Sequence, residues 1–148
     1  MRVTEAVASR YSCRAFLPTP VPEKIVREIV ELAARAPSAG NVQPWQVHAL
    51  AGEPLETLKA LLAPRMAAEL PKGEGVDYPI FPHPLAEPYN ARRFGVGELL
   101  YKSIGIPRED KAARYRQYAR NYLFFGAPVA LFFAREKAHG PAQWADIG

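Results

Sequence analysis

The chain has 148 residues, 49% hydrophobic and 23% charged, with a formal net charge of +4. This is enough for a single core-bearing domain over 1–148, and the charge is too small to argue for nucleic acid. One cysteine excludes an intramolecular disulfide framework, no apolar run reaches the length of a membrane span, and a cytoplasmic location is expected.

Residues 3–9 read as a short helix with Val3, Ala6 and Val7 on one side. Arg10, Ser12 and Arg14 follow at alternate positions, so an extended backbone would aim two guanidinium groups and a hydroxyl the same way. That arrangement suits a phosphate. Cys13 lies between them with no partner histidine at a recognisable spacing, and is read as an inert small residue. Pro18, Pro20 and Pro22 enforce an extended connector.

From Pro22, Ile25, Val26, Ile29, Leu32, Ala33 and Ala36 recur at helical steps, and Pro37 closes the helix. The stretch Pro37-Ser38-Ala39-Gly40-Asn41-Val42-Gln43-Pro44 is rich in turn formers and small residues. It can bring backbone and a short amide close to a flat ligand. A phosphate grip and a close-approach loop together suggest a phosphorylated, planar cofactor. Residues 45–50 alternate as a strand, with Trp45 read as core, and Gly52 ends it. Residues 53–70 form a helix with Leu55, Leu58, Leu61 and Leu62 as its stripe.

Periodicity disappears over 71–91, where five prolines stand among Tyr78, Phe81, His83 and Tyr89. Such a long loop with retained aromatics reads as functional. Helices return at about 92–104 and from Pro107 to Phe125. In the second, Arg108, Lys111, Arg114, Arg116 and Arg120 read as a solvated basic face, and no nucleic-acid partner is expected. Pro128 to Phe133 is a continuous apolar run, read as a central, fully buried strand. Of Phe124 and Phe125, one is read as core. Residues 140–148 begin another helix. The three histidines are scattered without ligand spacing, so no metal is expected. Two strands alone make a poor sheet. Either further strands come from elsewhere, or the chain is the front part of a larger unit.

The order of these motifs resembles the flavin-dependent nitroreductase family. The resemblance rests on Arg10-x-Ser12-x-Arg14, then Pro37-Ser38-x-x-Asn41-x-Gln43-Pro44-Trp45, then Asn121 and Phe125-Gly126-Ala127-Pro128. Tyr89 to Gly95, Leu100-Tyr101 and Gly105 to Lys111 are similar to a bacterial branch of nitroaromatic reductases. The resemblance implies an α+β, dimeric fold with an antiparallel or mixed sheet flanked by helices. It implies FMN as cofactor, NAD(P)H as donor and a homodimer with FMN at the interface.

By position, Arg10, Ser12 and Arg14 would hold the FMN phosphate and ribityl end. Pro37, Ser38, Ala39 and Asn41 would lie against the ring of the other subunit's flavin, with Gln43 just behind it. The implied reaction is ping-pong hydride transfer through flavin N5 to a nitroaromatic or quinone-type small molecule, with no catalytic side chain required. Tyr78, His83, Tyr89, Arg92 and Arg93 are the candidate substrate rim, although both arginines can also be read as surface charges. Family members continue beyond the position of Gly148, so the resemblance also implies that the C-terminal segment is lacking. The alternative readings are an inactive flavin-binding or interaction module, and another chemistry of the superfamily such as dehalogenation or flavin fragmentation.

Overall fold

The computed structural model describes residues 2–67 and 79–148. Their elements run α1 (Val3–Ser9), α2 (Glu23–Ala33), a 3-10 turn (Ala39–Asn41), β1 (Gln46–Ala51), α3 (Glu53–Ala67), α4 (Tyr89–Ser103), α5 (Lys111–Ala119), 3-10 turns (Arg120–Gly126), β2 (Val129–Ala134) and α6 (Pro141–Ile147). Two compact units result: residues 1–60 with 124–148, and residues 61–123. No described helix is long and apolar enough to cross a membrane.

In the first unit the Glu5 carboxylate accepts the Arg2 N–H at 2.8 Å and closes the first turn of α1. α2 starts after Pro22, whose fixed φ suits a helix entrance. β1 and β2 pair antiparallel, with Val47 opposite Phe133, Ala49 opposite Leu131 and Ala51 opposite Val129. Directly paired residues share a face, so these six line one side of the ribbon. Val47, Ala49, Ala51 and Val129 of that side, with Val26 and Val30 of α2, line a groove of about 510 Å³. Leu55 at the start of α3 and Ala130 of β2 are buried.

The strand at 128–133 was expected to be central and fully buried. β2 instead leaves Leu131, Phe132 and Phe133 exposed, because among the described residues it pairs with β1 alone. The α2 stripe also departs from expectation. Val26 and Val30 are half-buried, while Ile25, Ile29 and Leu32 are exposed. Amphipathicity selects the helix, but it does not supply the surface that covers it.

In the second unit, helix α4 begins at Tyr89, three residues earlier than the pattern suggested. Glu87 accounts for this: its carboxylate accepts the Ala91 N–H at 3.1 Å and the Asn90 side-chain amide at 3.2 Å. α5 begins at Lys111, four residues later than expected, because Asp110 caps it by accepting the Ala113 N–H at 2.8 Å. It ends at Ala119. The segment expected to continue as helix to Phe125 becomes 3-10 turns, with Phe124 and Phe125 left-handed at φ 53° and 52°. Arg114 is also not on a solvated face. It is half-buried, lies 3.4 Å from Glu98 and stacks 4.2 Å over the Tyr101 ring.

Candidate functional site

The loop from Pro37 to Pro44 is closed by hydrogen bonds of its own. Ser38 enters it extended, and Ala39–Asn41 make one 3-10 turn. Gly40, Asn41 and Gln43 all have left-handed backbones, at φ 61°, 55° and 50°. Glycine accepts that region freely and asparagine tolerates it, whereas glutamine is held there at a cost. Local bonds hold the shape: Asn41 N–H donates to Ser38 O at 2.9 Å, Val42 N–H to Ala39 O at 3.3 Å, and Gln43 N–H to Ser38 Oγ at 2.9 Å. Pro44, immediately after, is buried, and Trp45 is half-buried.

A further bond comes from far along the chain. The Ala39 N–H points between the two carboxylate oxygens of Asp146, at 3.2 and 3.3 Å. Asp146 lies in the last turn of α6. That helix is tied back through Arg135, at the turn after β2. Arg135 Nη1 donates to Glu136 O and His139 O at 2.7 Å each, and its guanidinium lies 3.8 Å over the Trp144 ring. Sequence reading had no means of finding Asp146. No motif contains it, and its partner is 107 positions away.

The structure leaves Pro37, Ala39, Asn41 and Gln43 exposed and Ser38 half-buried. The other cofactor candidates, Arg10, Ser12 and Arg14, are exposed on irregular backbone between α1 and α2. Arg14 Nη1 reaches Ser12 O at 3.3 Å, and the half-buried Cys13 Sγ donates to Ala15 O at 3.1 Å. The segment leads to Phe16, whose carbonyl is 4.0 Å from where a Cβ on Gly126 would stand. Phe124, two residues before that glycine, packs edge-on against Phe132 at 5.8 Å, and both Phe124 and Phe125 are half-buried.

The substrate candidates belong to the second unit. Tyr78 lies outside the described residues. His83 meets the Phe81 ring edge-on at 5.3 Å, and Arg93 lies 4.6 Å from the same ring. Arg92 stands 5.9 Å from the Tyr89 ring one turn earlier. Four of the five candidates therefore resolve into two cation–aromatic clusters, with Phe81 as the shared centre of one. Among the described residues no three His, Cys, Asp or Glu side chains gather as a metal site.

A helix-flanked antiparallel ribbon carrying a tightly closed, left-handed loop defines an α+β protein. The chain belongs to the nitroreductase family, whose sequence profile matches residues 7–148. It is 42% identical over 142 residues to a 4-nitrobenzoate reductase of Pseudomonas putida, covering 96% of this chain and 61% of that protein. It is 37% identical over 147 residues to a nitrobenzene nitroreductase of Ectopseudomonas oleovorans, covering 98% and 62%. Its fold is similar to that of the FMN and NADPH-dependent nitroreductase NfnB of Sphigopyxis sp. strain HMH, with a TM-score of 0.90 and 45% identity over 99% of this chain and 65% of the other. The chain therefore spans under two thirds of the length of each of these relatives.

Proposed function

We propose that this chain carries the cofactor grip of an FMN-dependent, NAD(P)H-using oxidoreductase acting on nitroaromatic or quinone-type acceptors. The observation that carries the reading is the 0.90 TM-score match, over nearly the whole chain, to a nitroreductase described as FMN- and NADPH-dependent. Relatives named for 4-nitrobenzoate and nitrobenzene point to aromatic nitro compounds as the acceptor class.

The residues present fit such a cofactor. Gly40 carries no side chain and has φ 61°, so at that position the loop presents backbone to a close-lying ring. Arg10 and Arg14 are exposed cations of the type that takes a phosphate through charge-assisted hydrogen bonds. FMN, when bound, supplies the acceptance of hydride from a reduced nicotinamide and its delivery to the acceptor. The protein's part is to bind and orient. Arg10, Ser12 and Arg14 hold the phosphate end of one FMN, and Pro37, Ser38, Ala39 and Asn41, with Gln43 behind them, position the ring of the other subunit's FMN. The clusters of His83, Phe81 and Arg93, and of Tyr89 and Arg92, offer flat faces and cations to an electron-poor aromatic acceptor. Tyr78 is assigned to the same rim on its place in the sequence.

A homodimer with FMN at the interface belongs to this reading. Its support is the exposed apolar surface of α1 and α2, where Val3, Val7, Ile25, Ile29 and Leu32 are between 44% and 80% exposed. Monomers rarely leave such helix faces bare. Purified protein is tested for flavin absorbance and for oxidation of NADH and NADPH with 4-nitrobenzoate or a quinone as acceptor. Under anaerobic conditions, a flavin-bearing protein that is bleached by a reduced nicotinamide and turns over catalytically once acceptor is added supports the reading. A protein that takes up no FMN from excess rejects it.

A further inference from the structure

We propose that Asp146 is a positioning residue for the Pro37–Pro44 loop, setting from α6 the backbone that the cofactor meets. The consequence for the cofactor rests on the flavin reading; the Asp146–Ala39 bond does not.

Two observations carry it. The Ala39 N–H is shared between both Asp146 oxygens, at 3.2 and 3.3 Å. That N–H opens the 3-10 turn Ala39–Asn41, where a backbone donor has no partner within the turn and a carboxylate is electrostatically favoured.

The loop also requires an outside constraint. Its internal bonds run between residues 38 and 43 and close it on itself. They leave its orientation on the rest of the first unit to other contacts. Non-glycine residues in left-handed backbone persist where the surroundings over-determine them, and Asn41 and Gln43 are two such residues within three positions. The route from β2 to the loop is continuous. Arg135 ties the turn after the strand and stacks on Trp144, and Asp146, two residues later in α6, holds Ala39. A residue 107 positions from the motif thereby orients the motif.

The test uses the whole chain and two variants, Asp146→Ala and Asp146→Asn. Hydrogen exchange at the Ala39 amide is measured without FMN, and FMN affinity is then titrated. Loss of a charge-assisted bond speeds exchange about tenfold in Asp146→Ala and weakens FMN by a similar factor. Asp146→Asn retains an acceptor oxygen and restores both to within about threefold of the unchanged protein, a rescue that simple damage to α6 would not produce. Unchanged Ala39 exchange in Asp146→Ala overturns the proposal, as do equal losses in the two variants. Faster exchange with unaltered FMN affinity overturns the positioning role. If the unchanged protein takes up no FMN, the flavin reading fails, and Ala39 exchange alone decides whether Asp146 holds the loop.

Discussion

The Ser38 hydroxyl accepts the Gln43 N–H at 2.9 Å, spanning the loop from its extended entrance to the residue before the buried Pro44. One short side chain thereby sets the width of the turn that Gly40 and Asn41 form. Ser38→Ala is expected to lower unfolding free energy by about 1 kcal/mol, the net worth of one such bond. Ser38→Thr keeps the oxygen and should recover most of it. Urea unfolding of the three proteins gives the comparison, and equal midpoints for Ser38→Ala and the unchanged chain would remove the bond's role.

Gly40→Ala separates conformation from space. At φ 61° an L-residue is strained, while the added methyl would meet nothing closer than 3.9 Å. The expected cost is therefore the backbone term alone, about 1–2 kcal/mol. The same substitution at Gly95 of α4, which has no positive φ and open space around it, should be neutral or stabilising. Similar destabilisation at both positions in thermal unfolding would contradict this.

The phosphate assignment gives a contrast within one segment. Arg14→Ala is expected to weaken FMN binding about tenfold to a hundredfold, the worth of a charge-assisted bond to phosphate. Cys13→Ala should leave affinity nearly unchanged, since its thiol donates to the carbonyl of Ala15. Fluorescence titration of FMN into both variants decides it. Equal affinities would move the phosphate elsewhere.

An alkaline titration tests the tyrosine ladder of the second unit. The Tyr118 and Tyr122 hydroxyls lie 3.2 Å apart, and this hydrogen bond, with lesser burial, raises the Tyr122 pKa above its ordinary value of 10.0. A raised phenol pKa means that the fold favours the neutral form. The stabilisation is fully present below pH 10 and is lost as pH rises through the higher folded value. Tyr118→Phe should bring Tyr122 down toward 10 in a phenolate absorbance titration. An unchanged curve would show that Tyr118 does not set it.

Much of this protein was legible in its local patterns. Helical periodicity after Pro22, strand alternation before Gly52 and the helix start over 140–148 each depend on neighbours within a few residues. Such signals survive in any tertiary setting. The same holds for the motif order that implied the nitroreductase family, because a sequence profile reads residues in order. The helix starts at Tyr89 and Lys111 were misplaced by three or four residues, since side-chain caps from Glu87 and Asp110 decide them and overrule periodicity.

The chain by itself thus determined most of the helices, the two strands and the family. Only the tertiary structure decided that Ile25, Ile29 and Leu32 stay exposed, that β2 is uncovered, and that Asp146 holds Ala39. The physical reason is range. Propensity, capping and turn chemistry act between near neighbours. Burial and a bond across 107 positions depend on which surfaces the folded chain brings together.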